Sequence, residues 1–346
     1  MKKLLLLGIL LLLVTIPVSA TGIVAPEVPE DGEQLFPSQQ ENFGDSLWHI
    51  ITEAFRQGRP EFSTSVKLCM SAIGTTLILS LLRSYDGKSK PIVELSGVLA
   101  VSAIFLGSAN SMIEMGTETV WQISQYGKLL LPVMTAALAS QGGTISAGSL
   151  YGATALFDTL LCAVLSAVLI PLVYIYLVLA VINAISEDGL LKKLKDLCKW
   201  AMSWFLKILL YGFTGYITIT GVISGTADQT AIKATKLTIS GMIPVVGGIL
   251  SDASETVLVS AGVIKNAAGI YGMLAILAVA MMPFVTIGAH YLLLKLTAAV
   301  SGVFAPKAVS SLMEDFSSCM GLVLGMVGAV CMIQLISVVC FLKGMT

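Results

Sequence analysis

The sequence predicts an all-α polytopic membrane protein with about six transmembrane helices, two further re-entrant or interfacial segments, and a parallel internal repeat at an offset of 112 residues. Three observations predict it. Apolar residues make up 56% of the 346, charged residues only 12%, and mean hydropathy is +0.89, which leaves too little polar surface to cover a soluble fold. Apolar runs of spanning length recur along the chain. Pro132-Val133 returns as Pro244-Val245 and Pro171 returns as Pro283, both displaced by 112, within ten ungapped identities across positions 132–175. The prolines weigh most in this comparison, because a proline in a membrane helix removes a backbone donor and needs specific packing around it. A net charge of −1 is uninformative about nucleic acid, but the lack of a basic tract speaks against a protein that binds nucleic-acid backbones.

Residues 1–20 combine a basic start at Lys2-Lys3, a leucine-rich run to Val14 and a small-x-small end at Val18-Ser19-Ala20, the form of a secretory signal peptide cleaved after Ala20. Residues 21–65 are then an extracytoplasmic N-terminal segment. Its part up to position 45 is rich in Pro, Glu and Gln and reads as a flexible leader, while Phe43 to Phe62 can form one amphipathic helix through Leu47, Ile50, Ile51, Ala54 and Phe55.

Six runs are the expected spans: Val66–Leu82, Ile92–Met112, Leu156–Ile182, Ser203–Ser224, Ile270–Leu293 and Ser318–Phe341. The first two form a membrane hairpin within 66–120; residues 121–230 are the first repeat and 231–346 the second. Arg83, Lys88 and Lys90 lie between the first two spans, and Lys192, Lys193, Lys195 and Lys199 between the third and fourth, which places both loops in the cytoplasm. A secreted N-terminus gives the same parity. Leu190, Leu191, Leu194, Leu197, Cys198 and Ala201 share one face of the connector between the third and fourth spans with the lysines opposite, so it is expected to lie on the inner leaflet or to dock a cytoplasmic partner through Lys192, Lys193, Lys195 and Lys199.

Leu129–Ala139 and Leu237–Leu250 are apolar but too short to cross, and each holds a proline. At matching places in two halves, such segments point to re-entrant elements lining a cavity, or to helices lying at the interface. The expected path-lining residues are Pro132, Gly142 and Gly143 in the first, and Pro244, Gly247, Gly248, Asp252, Glu255 and Lys265 in and beside the second. Glu94, Asp158 and Lys295 are further ionisable groups at membrane depth, where an unpaired charge is costly.

Nothing in the chain marks an enzyme. The six cysteines have no CxxC spacing, His49 and His290 stand in no zinc or nucleophile motif and read as structural, and Gly247-Gly248 lacks the residues that complete a phosphate loop. No metal or cofactor is expected.

Three elements of the second half, Ile-Pro-Val-x-Gly at 243–247, Asp-Ala-x-Glu-Thr-Val at 252–257 and Lys-Asn-x-x-Gly at 265–269, resemble the signature region of the stage III sporulation protein AE family. The likeness extends more loosely over about residues 45–342, through Pro132 with Ser140-Gln-Gly-Gly143, Gly221-Val-Ile-Ser224 and Lys295-Leu-Thr-Ala-Ala299. The resemblance implies a multi-pass protein of the mother-cell membrane surrounding the forespore in endospore-forming bacteria. It implies partners from the same operon, a secretion-type ATPase and ring-forming membrane proteins, with a forespore-side partner, together making a channel or export complex for late forespore development. It implies no catalytic residue. Two other readings stand beside it, a stand-alone secondary transporter and a scaffold that recruits a cytoplasmic ATPase. The 32 glycines favour close helix packing, including between copies of the chain, without fixing a copy number.

Overall fold

Long apolar stretches without β-patterning fold as helices because a helix satisfies its own backbone in lipid. In a computed structural model of the chain, residues 26–37, 42–85, 90–140, 144–186, 189–219 and 267–344 are described here. Their elements are α1 (Glu30–Glu33), α2 (Phe43–Gln57), α3 (Arg59–Tyr85), α4 (Lys90–Ser140), α5 (Thr144–Val164), a π-helical turn (Leu165–Leu169), α6 (Ile170–Ser186), α7 (Gly189–Ile219), α8 (Ala267–Ser301) and α9 (Lys307–Gly344). No strand occurs among the described residues.

Among the described residues, five helical runs are long and apolar enough to cross a membrane: Arg59–Ser84, Pro91–Ala136, Thr154–Ser186, Gly269–Ser301 and Lys307–Leu342. They contain the expected first, second, third, fifth and sixth spans. The fourth begins in the second half of α7 and ends outside the described residues. So do the signal peptide and the Pro244 segment with Gly247, Gly248, Asp252, Glu255 and Lys265, as well as Gly142 and Gly143.

The last helix is the centre of the bundle. α9 packs against α4, α5, α6, α7 and α8, and 94% of its most apolar window is buried, against 28% for α3 and 33% for α4. A helix apolar on all sides can be surrounded by lipid or by protein, and here its neighbours enclose it. The outer helices instead expose apolar side chains, among them Met70 and Ile78 on α3, Leu99 on α4 and Leu156 on α5, as lipid-facing helices do. Lipid is as apolar as these side chains, so close backbone approach rather than expulsion of water holds such helices together. At Gly116 of α4 an added Cβ would collide with Val323 of α9, so this crossing requires glycine.

The structure corrects the expected segment at Leu129–Ala139. It is neither a separate re-entrant piece nor a separate interfacial one but the last part of α4, a 51-residue helix about 76 Å long at 1.5 Å per residue. Pro132 lies inside that helix and is exposed, while Leu130, Leu131 and Met134 are buried. The buried face fastens the helix to its neighbours, and the proline sits on the side where its ring meets none of them. Glu114, Glu118 and Lys128, which fall between the expected second and third spans, lie along the same helix. The π-helical turn Leu165–Leu169 ends two residues before Pro171 and accommodates the ring and the missing donor. Pro283 lies within α8 with no such turn beside it.

The N-terminal segment is also more ordered than its composition predicts. Leu35 is fully buried with Ile50, Ala54, Leu274 and Ala278, and the ring of Phe36 lies 4.6 Å from that of Tyr271. Two apolar residues in a polar stretch suffice to anchor it to α8. α2 forms over Phe43–Gln57, within the expected Phe43–Phe62, burying Ile50 and Ala54 and leaving Phe55 exposed, while Phe62 belongs to α3.

Candidate functional site

A polar side chain inside an apolar bundle costs several kcal/mol unless it finds a partner, so the places where such groups meet are the candidates for function. Three meetings stand out among the described residues.

The first joins α7 to α9. Lys195 Nζ donates to Asp315 Oδ2 at 2.6 Å, and Tyr176 Oη from α6 donates to Asp315 Oδ1 at 3.0 Å. Lys195 and Asp315 are only 6% and 8% exposed. One turn further, Lys199 Nζ donates to Ser318 Oγ at 2.9 Å. This corrects the expected orientation of the connector. Lys195 and Lys199 face the bundle, not headgroups or a partner, and Leu190, Leu194 and Leu197 are exposed. The physical reason is that the surroundings are apolar: leucines can face lipid, whereas Asp315 in the interior needs a cation. Lys192 and Lys193 remain exposed, where a headgroup or partner can reach them.

The second lies where α3, α4 and α8 meet. His290 is fully buried, with Nδ1 2.9 Å from Ser65 Oγ and Nε2 3.2 Å from Ser108 Oγ. A neutral imidazole has one donor and one acceptor nitrogen, and two hydroxyls serve both. Both ring nitrogens of His290 are thereby partnered.

The third lies between α4, α5 and α9. Gln334 Nε2 donates to Asp158 Oδ1 at 2.5 Å, both residues being 2% exposed, and Asp158 Oδ2 has no hydrogen-bond partner among the described residues. The three atoms nearest to a Cβ built on Gly127 all belong to the amide group of Gln334. Ser124 Oγ, one turn before Gly127, is likewise buried without a partner among the described residues. The arrangement places a carboxyl and an amide in the bundle interior with hydrogen-bonding capacity unspent.

Of the other ionisable groups singled out, Glu94 pairs with Arg83 at 3.1 Å across the α3–α4 connection, and Lys295 is exposed. Among the described residues no group of three His, Cys, Asp or Glu is placed to hold a metal. Sequence reasoning flagged Asp158 and the connector lysines but missed Asp315, Gln334, Tyr176, Ser65 and Ser108. For Gln334 a signal existed, an amide standing alone in the apolar run from Met320 to Leu342. Asp315 offered none, since next to Glu314 at the start of a helix it reads as a solvated charge.

The family model described as stage III sporulation protein AE matches residues 34–344. A curated relative, the stage III sporulation protein AE of Bacillus subtilis (strain 168), is 25% identical over 195 residues, which is 56% of this chain and 49% of the relative. The match therefore spans about half the length of that relative. No solved structure matches.

Proposed function

Because the chain belongs to the stage III sporulation protein AE family, we propose that it is a multi-pass membrane subunit of a sporulation-specific channel or export complex that connects mother cell and forespore, in the mother-cell membrane around the forespore. Its partners in this reading are a secretion-type ATPase, ring-forming membrane proteins and a forespore-side protein. The family match along residues 34–344 is the observation that carries it. The helical membrane architecture is compatible with the role, and the interior pair of Asp158 and Gln334 is a polar element of the kind that membrane paths use.

The test is thiol labelling of single cysteines placed at Gly143, Gly247, Ser251 and Glu255 in a cysteine-free chain, in engulfed sporangia, with impermeant reagents of graded size. Labelling that is limited by reagent size and changes when partner genes are deleted supports a water-filled path built by the complex. Labelling indifferent to both overturns the channel part of the proposal.

A scaffold reading is favoured by one observation, the exposure of Lys192 and Lys193 beside an inward-facing Lys195 and Lys199. In that reading the first two lysines recruit the ATPase. Pull-down of the ATPase undiminished by Lys192→Gln with Lys193→Gln refutes it.

A further inference from the structure

Where α2 passes into α3, the chain faces α8 across a groove of ≈ 800 Å³. Its walls are apolar, formed by Phe55 and Phe62 on one side and Phe284, Leu292 and Leu296 on the other, and Arg59 is the one charged lining residue among those described. The cation lies toward one end. A Cβ on the neighbouring Gly58 would sit 3.6 Å from Thr286 Oγ1, so Arg59 is level with the Phe284–Thr286 end while Leu292 and Leu296 lie successive turns away. From Phe284 to Leu296 the helix rises about 18 Å, close to the roughly 15 Å hydrocarbon depth of one leaflet.

The charges around the groove leave Arg59 unengaged. Arg56, one turn earlier, donates to Glu53 at 2.8 Å, and Glu53 also accepts from Gln57 at 3.0 Å. Arg59 has no ion-pair partner among the described residues. Thr286 lines the groove and its buried hydroxyl oxygen has no hydrogen-bond partner among the described residues. A guanidinium binds phosphate through two parallel hydrogen bonds and is the side chain best suited to that anion.

We propose that this groove is a binding site for an anionic phospholipid in the leaflet on the side of the N-terminal helices. One acyl chain lies along α8 between the phenylalanines and Leu292 and Leu296, and the phosphate meets Arg59. An extended peptide fits the groove poorly, because it would bring a row of backbone N–H and C=O groups against walls that carry few partners for them. A lipid tail brings none.

The test is native mass spectrometry of the purified full chain in mild detergent, offered phosphatidylglycerol and phosphatidylcholine with identical acyl chains. The wild type retains one phosphatidylglycerol and prefers it by about tenfold, the scale of one charge-assisted contact. Arg59→Gln loses that preference while keeping the wild-type thermal transition. Ala289→Trp, which fills the groove, loses lipid retention altogether; Leu296→Trp does the same from the exposed wall if the first variant fails to fold. Equal retention of both lipids by the wild type, or an unchanged preference in Arg59→Gln, overturns the proposal and marks the groove as ordinary lipid-facing surface or a seat for a partner's helix.

Discussion

Lys195 and Asp315, 120 residues apart in sequence, lie 2.6 Å apart between α7 and α9, with Tyr176 on the second carboxylate oxygen. This pair decides which way α7 faces. It turns a helix whose pattern suits a surface position into one that presents its central lysines to the bundle.

Breaking the pair from one side strands a buried charge. Asp315→Ala and Lys195→Ala should each lower stability by about 3–5 kcal/mol, whereas the double replacement Lys195→Met with Asp315→Leu should recover most of that loss. Thermal unfolding in detergent measures both. Lys192→Gln, at an exposed position, should change it by less than about 0.5 kcal/mol.

The Gly127–Gln334 crossing has no room for a methyl group. Gly127→Ala should destabilise the fold by about 1–3 kcal/mol, because the amide it strikes is held by Asp158 and cannot swing away freely. Gly107 and Gly152, with nothing within 4 Å, are the controls: alanine there should be neutral or stabilising by up to about 1 kcal/mol. Equal effects at all three positions would show that the crossing is looser than described.

Replacing Asp158 by asparagine tests whether the interior pair depends on charge. Asparagine keeps an acceptor for Gln334 and nearly the same volume, so Asp158→Asn should be tolerated, while Asp158→Ala should leave the amide unpaired at about 1–3 kcal/mol. The comparison is read in denaturation by graded detergent.

His290→Ala removes the shared partner of Ser65 and Ser108 and opens a cavity between α3, α4 and α8. The expected loss exceeds about 2 kcal/mol, since it combines two unpaired hydroxyls with lost packing. A cycle with Ser65→Ala should show coupling of about 0.5–3 kcal/mol; strict additivity would mean that the serine contact carries no energy.

Leu35 holds the N-terminal segment to α8. Leu35→Ala should free that segment without unfolding the bundle, seen as faster proteolysis near residues 26–42 with an unchanged core fragment.

Much of the fold was legible in the residues. Composition and run length placed the membrane helices, the periodicity of Leu47 to Phe55 placed α2, and Pro171 marked the irregular turn before it. The extent of α4 was not legible: Glu114, Glu118, Lys128 and Pro132 all signal a break, and none breaks it. Their propensities act locally, at a few kcal/mol at most each, while the buried face from Ile123 through Leu130 to Met134 acts collectively.

The residues alone determined that the chain is helical and membrane-embedded and that its signature elements resemble one sporulation family, because apolar run length and short motifs are properties of the chain itself. Which polar groups become partners was decided only in three dimensions. Asp315 finds Lys195, Gln334 finds Asp158, and His290 finds Ser65 and Ser108 across 120 to 225 residues of sequence. Helical periodicity relates neighbours three or four positions apart; pairing between helices depends on which helix packs beside which, and at what height, and that is set by the whole bundle at once.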